Sequence, residues 1–221
     1  MNFVEARNKM VDGQVRTADV TDLRILAAML ELPRERFVHP DQAALAYADI
    51  DLPVAGKSGQ SRRCLLRART LGKLIQAADV QENERVLDIG GTTGYGAAVL
   101  ARLAREVVML EEDTSLVALA RKALAECGTH NVAVVTGPLT AGWPQQAPYD
   151  VILLEGATEV PLKNLAGQLR DGGRLLAIEG RGLAAKAMVY RCDAGMLSGR
   201  PVFDAAAPIL PGFVQPPAFV F

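Results

Sequence analysis

The sequence predicts an α/β fold with a mainly parallel central sheet covered on both faces, a three-layer arrangement preceded by an N-terminal helical extension. Three observations predict it. From Arg85 onward short apolar runs alternate with helical stretches; the first run, VLDIG, passes through a glycine turn into the helical YGAAVLARLA; and the segment before Arg85 carries helical spacing interrupted by prolines. Strands that alternate with helices of this length need right-handed crossovers, which place parallel strands side by side and helices over both faces. The chain has 221 residues, half of them hydrophobic, enough for one substantial core. A single domain over 1–221 is expected, with residues 1–78 as a helical and irregular extension.

In TADVTDLRILAAMLEL, the residues Thr17, Asp19 or Thr21 can cap a helix whose stripe is Val20, Leu23, Leu26, Ala27 and Leu30, and Pro33 stops it. PRERFVHPDQAALAYADIDLPVAGKSGQ, with Pro33, Pro40, Pro53, Gly56 and Gly59, suits irregular chain wrapping a domain. LLRARTLGKLIQAADV resumes helical spacing through Leu65, Leu71, Leu74 and Ile75, with Gly72 as its weak point. Then VLDIG is followed by YGAAVLARLA, VVMLEE by SLVALARKALAECG, VAVVTG by a Trp-Pro turn, YDVILLEG by VPLKNLAGQLRDGG, and RLLAIEG closes the series. Beyond Gly180, AKAMVYRCDAG and GRPVFDAAAPILPGF read as one or two strands at an antiparallel edge, with FVQPPAFVF as a terminal strap.

Composition excludes several function classes. Lysine and arginine number 24 against 25 acidic residues, a formal charge of -1. No large positive field attracts a phosphate backbone, so nucleic acid is not an expected partner. Cys64, Cys127 and Cys192 have neither zinc spacing nor a disulfide framework, which suits a reducing, cytoplasmic setting. No apolar run reaches membrane-spanning length and MNFVEARNKM lacks a signal-like apolar stretch, so no membrane partner is expected. Oligomeric state is not readable, because the apolar C-terminal tail suits covering its own domain or a partner equally.

The stretch VLDIGGTTGYGAAVLARLA carries the chemistry. Gly90 and Gly91 end the strand and Gly94 precedes the helix, where an open parallel sheet binds ligands beyond the carboxyl ends of its strands. The pyrophosphate pattern G-x-G-x-x-G is absent in every register, since Thr92 and Thr93 fall where its second glycine belongs; NAD and FAD are disfavoured. Glu111 ends the next strand about 20 residues beyond Gly90, where a carboxylate can accept from both hydroxyls of a ribose. A cofactor with a ribose but no pyrophosphate satisfies both facts. Plain turn glycines and a solvated glutamate satisfy them too.

Other features carry less. AGKS ends like a phosphate loop, but Asp51 stands where the first glycine belongs. His39 and His130 have no partners at ligand spacing, so no metal is expected. Cys127 suits a small packing role and Trp143 a turn closed against the sheet edge, while Tyr95 lies in the first helical turn beside the candidate site, with packing and ligand contact equally open.

Read in order, MVDGQVR, AAMLELPRERFV, AYADIDLPV, VLDIGGTTGYGAAVLARLA, NVAVVTGPLTAGWP, APYDVILLEGATEVP and LAGQLRDGGRLLAIEG resemble the protein-L-isoaspartate O-methyltransferase family over roughly residues 10 to 180. The resemblance implies a Rossmann-like methyltransferase fold, S-adenosylmethionine as cofactor, and methyl transfer to a carboxylate of an isoaspartyl protein or peptide, or to a related acceptor, small molecules included. It implies Asp88, Gly90, Gly91, Thr92, Gly94 and Glu111 on the cofactor side. It also shows departures: Thr92 replaces the middle glycine of the turn, and Gly137, Pro138 and Leu139 stand where the family has Gly-Asp-Gly, whose acid contacts adenine.

On the substrate side the family's GQTISQP reads here as GQSRRCL. Gly59 and Gln60 match, Ser61 stands in for the threonine, Arg63 replaces the serine, and Cys64 and Leu65 replace glutamine and proline. Ser61 and Arg63 are therefore the candidate substrate contacts. Arg62, Arg63, Arg67 and Arg69 form a basic cluster that can grip a carboxylate or lie on a wet face pairing with Asp49 and Asp51, the reading we favour from sequence. The family's Thr-Ala pair after the fourth strand is Glu155 and Gly156. A carboxylate acceptor is nucleophilic without a general base, so no catalytic residue is identifiable. Three readings stand: a methyltransferase of this type, a non-catalytic binding or regulatory protein on the same fold, and, disfavoured, a nucleotide-dependent oxidoreductase.

Overall fold

Helices in the N-terminal extension and strand-helix alternation after it follow the apolar patterning closely in a computed structural model that describes residues 1–54 and 63–216. The elements in chain order are α1 (Phe3–Met10), α2 (Leu23–Glu31), β1 (Leu52–Pro53), β2 (Cys64–Leu65), α3 (Ala68–Ala78), β3 (Arg85–Ile89), α4 (Tyr95–Leu100), β4 (Glu106–Glu111) and α5 (Thr114–Glu126). They continue with β5 (Val132–Thr136), β6 (Tyr149–Thr158), α6 (Lys163–Ala166), β7 (Leu169–Glu179), β8 (Lys186–Asp193) and β9 (Met196–Asp204). The large sheet runs β5-β4-β3-β6-β7-β8-β9. Strands β3 to β7 pair in parallel and β8 and β9 add an antiparallel edge. This is a Rossmann-like sheet, as expected, and its strand order reverses between β3 and β6, which opens a crevice at their carboxyl ends.

Two apolar clusters sandwich the sheet. One joins the extension to one face and runs from Met10 through Leu74, Val99 and Leu176 to Val189. The other covers the opposite face with Leu87, Leu110, Leu139, Leu165, Leu210 and Phe213. Residues 208–213 reach the sheet by backbone pairing: Ala157 donates to Pro208 at 2.9 Å, Leu210 to Ala157 at 2.9 Å, and Glu159 to Phe213 at 2.9 Å. Ala194 and Gly195, both with positive φ, close the β8–β9 hairpin, the backbone that twist-compatible two-residue turns require.

Several local expectations are corrected. The cap of α2 is Asp22, whose carboxylate accepts from Arg24 N at 2.8 Å, and not Thr17, Asp19 or Thr21; Thr17 instead donates to Gly13 O. The buried face of α2 is Ile25, Leu26, Ala28 and Met29, while Leu23 is 73% exposed. The rotation follows from α1 and the π-helical turn Val11–Val15, which the sequence reading missed and which pack beside α2. Leu65 belongs to β2, paired with Leu52, and not to the helix that follows. VPLKNLAGQLRDGG forms only the short α6, and its latter half joins β7 because Gly172 takes a left-handed backbone. Among the described residues no helix is long and apolar enough to cross a membrane and no cluster suits a metal ion. All three cysteines are free thiols.

Candidate functional site

The carboxyl ends of β3, β4 and β6 meet at one crevice, and the turn after β3 depends on glycine. After Ile89 the chain bends through Gly90 and Gly94, with φ of 78° and 93°, conformations that L side chains avoid. Thr92 takes φ 51° between them, a strained position for a β-branched residue. The strain points its N–H at Glu111, whose Oε2 accepts at 3.1 Å. Gly91 does something different: a side chain there would collide with the Asp88 carboxylate and press on Met109. Gly90, Gly91, Thr92, Gly94, Asp88 and Glu111, the residues placed on the cofactor side by sequence, are thus brought together around one crevice.

Glu111 is fully buried. Its Oε1 accepts from the backbone N–H groups of Glu112 at 2.9 Å and Asp113 at 3.2 Å. Its Oε2 accepts from Thr92 N and, at 2.5 Å, from Arg63 Nη2. An ionised carboxylate offers about four acceptor positions, and the protein's own donors take all of them. Burial pushes the Glu111 carboxyl upward, and the Arg63 guanidinium and the backbone donors pull it down. Arg63 itself is 4% exposed and also donates from Nη2 to Gly90 O at 2.9 Å. The pairing of β1 with β2 presents it, through Val54 N donating to Arg63 O at 2.9 Å. Its Nε and Nη1 find no acceptor.

Leu210 completes the crevice wall, and sequence reading missed it. Its methyls lie where a side chain on Gly90 or Gly156 would project, so the glycine at 156 is what admits the leucine. The remaining space is a cavity of about 10 Å³ bounded by Arg63, Cys64, Glu155, Pro208, Ile209 and Leu210. Small-molecule sites are typically about 300–1,000 Å³. With Glu111 saturated by Arg63 and Leu210 against Gly90, the residues as folded do not fit a nucleoside-bearing cofactor. The only signal in the sequence was Gly156, a small residue just past the apolar run of β6.

Beneath the crevice lie two more carboxyl groups. Asp88 is fully buried and Glu155 is 2% exposed, and neither receives a backbone or basic donor. Gly96 of α4 makes room for Glu155, because any side chain there would overlap its carboxylate. Burial, then the negative charge of Glu155, pushes Asp88 well above the carboxylate range. Glu155 is pushed up to about 7 by burial, opposed by its hydrogen bond with Asp88 and by Arg34 and Arg63. Two facing carboxyls that cannot both ionise share a proton. With Asp88 held neutral, the pair carries at most one negative charge.

The other sequence candidates separate from this centre. Arg67 pairs with Asp51 at 2.8 Å and Arg69 with Asp49 at 3.1 Å, as the wet-face reading of the basic cluster expects, whereas Arg63 turns inward. Ser61, with Gly59, Gln60, Arg62 and the AGKS stretch, lies outside the described residues. Tyr95 is buried against Phe37, ring centroids 5.4 Å apart, with Arg34 4.6 Å above its ring; it packs the extension onto α4. Pro138 begins the 3-10 turn Leu139–Ala141 and Leu139 enters the second core cluster. Trp143 closes its turn by accepting from Tyr149 Oη at 2.7 Å. Cys127 caps the end of α5.

The family model described as Protein-L-isoaspartate(D-aspartate) O-methyltransferase (PCMT) matches residues 5–199. A protein-L-isoaspartate O-methyltransferase of Geobacter metallireducens is 40% identical over 177 residues, 80% of this chain and 79% of that protein. One of Methanoregula boonei is 41% identical over 173 residues, 78% of this chain and 77% of that protein. A solved protein-L-isoaspartate O-methyltransferase structure superposes with a TM-score of 0.80 at 28% identity over 93% of this chain, which spans 66% of that longer chain. A Plasmodium falciparum structure described as a beta-aspartate methyltransferase (PCMT) in complex with S-adenosyl-L-homocysteine shares the fold, with a TM-score of 0.74 at 15% identity over 92% of this chain and 97% of that one. Sequence and architecture agree over most of its length, and the chain belongs to the protein-L-isoaspartate O-methyltransferase family of S-adenosylmethionine-dependent methyltransferases.

Proposed function

We propose that this chain is an S-adenosylmethionine-dependent methyltransferase that transfers a methyl group to a carboxylate of an isoaspartyl protein or peptide, or of a related acceptor. The observation that carries the reading is the placement of Glu111 at the end of β4, facing the Gly90–Gly94 turn through the Thr92 N–H. On this reading Asp88, Gly90, Gly91, Thr92, Gly94 and Glu111 form the cofactor side, and Ser61 and Arg63 the acceptor side. Arg63 can serve an acceptor carboxylate only after leaving Glu111, so the conformation described supports no transfer step. A carboxylate acceptor needs orientation and exclusion of water more than a general base. That suits a site without a His or Cys pair. The near-neutral net charge and free thiols suit a cytoplasmic protein acting on protein and not on nucleic acid.

A second reading, a non-catalytic binding or regulatory protein that keeps the fold, is favoured by one observation: all acceptor positions of Glu111 are satisfied internally. The experiment that separates the two is transfer of radiolabelled methyl from S-adenosylmethionine to an isoaspartyl peptide, run beside its aspartyl isomer. Label on the isoaspartyl peptide alone supports the first reading. No transfer to that peptide or to proteins of a cell extract, over a range of cofactor up to millimolar, rejects it in favour of the second.

A further inference from the structure

We propose that Arg63, held in place by Leu210, is an intramolecular occupant of the cofactor's position, so that the free protein rests in a closed state and a nucleoside ligand must displace the Arg63–Glu111 ion pair to enter. The proposal rests on the cofactor side being where the methyltransferase reading places it. Its own basis is geometric. The guanidinium sits on the carboxylate a ribose would need and on the carbonyl of the glycine turn beside it, donating from one nitrogen to Glu111 at 2.5 Å and to Gly90 O at 2.9 Å. Both partners are buried, at 4% and 0% exposure, so the ion pair is not the kind that water and salt dissolve at a surface. Arg63 leaves two nitrogens, Nε and Nη1, without acceptors and holds on through Nη2 alone, whereas buried Arg34 leaves only Nη1 without one and places Nε and Nη2 on carbonyls at 2.7 Å.

Leu210 gives the occupant its seat. It reaches the crevice on a strap bonded to the end of β6 and fills the space that two glycines, Gly90 and Gly156, leave beside the guanidinium. The arrangement is therefore built from three separated parts of the chain, Arg63 at the entrance to β2, the β3 turn and the C-terminal strap, and none of them closes the crevice alone. A ligand that binds only the open state has its affinity reduced by the fraction of molecules that are open. Weakening either half of the closed state raises that fraction.

The test is calorimetric titration of S-adenosylhomocysteine into the wild-type chain, Arg63→Ser and Leu210→Ala, with the melting transition of each recorded alone and with ligand. Arg63→Ser is expected to bind at least about tenfold more tightly than wild type, and Leu210→Ala about threefold, because both raise the open fraction. Leu210→Ala keeps both members of the ion pair, so it carries the test if Arg63→Ser fails to fold. Binding by folded variants that equals or falls below that of wild type, including no binding by any of the three, overturns the proposal. The outcomes separate from those of the methyl-transfer experiment. Tighter binding by the variants with no transfer by wild type keeps the plug and rejects the enzyme; transfer by wild type with no gain in the variants does the reverse.

Discussion

Glu155 shows how one side chain in this interior makes stability depend on pH. Its carboxyl sits at about 7 in the folded protein against 4.5 in a free chain, raised by burial and lowered in part by Asp88, Arg34 and Arg63. The folded state therefore binds this proton more tightly than the unfolded state does. The stabilisation is fully present below about pH 4.5 and is lost as pH rises through about 7, a change of roughly 3 kcal/mol for a shift of this size. Glu155→Gln holds position 155 in a neutral form. The variant is expected to lose less stability than wild type between about pH 5 and about pH 8, followed by melting temperature or urea midpoint. Parallel pH profiles for the two proteins would mean that Glu155 ionises freely on folding. Charge elsewhere in the interior is handled differently: Arg174 makes a two-pronged pair with Glu84, 2.7 Å on each prong, and caps the carbonyls of Ala78 and Asp79. That pair lies at the opposite end of the sheet, and every nitrogen in it is used.

At the scale of elements, α3 is the hinge between extension and sheet. Gly72 looked like a defect in its helical pattern, but a side chain there would stand 3.3 Å from methyls of both Val15 and Val20 and 3.5 Å from Met29. The glycine lets the π-helical turn and the segment before α2 pack directly on the helix, and Gln76 of the same helix fixes that segment by accepting from Thr21 N at 2.6 Å and Asp22 N at 3.1 Å. Gly72→Leu is expected to destabilise by about 1–3 kcal/mol through overpacking, although any side chain improves intrinsic helix propensity; a urea midpoint at or above that of wild type would show that the contact relaxes without cost. Positions such as this mark the limit of what the sequence makes legible. The alternation of apolar runs with helices located β3 to β7, because burial on both faces leaves continuous Val, Leu and Ile runs, and the turn glycines located the crevice. The face of α2 was not legible, since it depends on α1, whose own pattern is weak. Nor was the inward turn of Arg63: its neighbours Arg67 and Arg69 do pair with surface acids, and nothing local distinguishes the third arginine until Leu210 and Gly156 are placed beside it.

For the molecule as a whole, the question is whether residues 1–78 unfold with the sheet or before it. One apolar cluster contains Met10, Val15, Ile25, Met29, Phe37, Leu71 and Ile75 from the extension together with Val86, Tyr95, Leu100, Val151 and Leu176 from the sheet layer. Two polar contacts cross the same boundary: Arg34, anchored within the extension on Ala46 O and Leu66 O, lays its cation over Tyr95, and Thr93 Oγ1 donates to Phe37 O at 2.5 Å. Removing the extension would expose the α4 side of the sheet and leave Tyr95 bare, so neither part has a complete core by itself. We therefore propose that the chain folds as one cooperative unit, and a two-state urea transition is the expected outcome. Trp143, the only tryptophan, packs against the second apolar cluster on the far face of the sheet, away from the extension, and its fluorescence reports that face alone. Far-ultraviolet circular dichroism reports the helices of both parts. If the two curves coincide, extension and sheet lose structure together; an early loss of helical signal with Trp143 still in its folded environment would show that the extension is a separate unit docked on the fold.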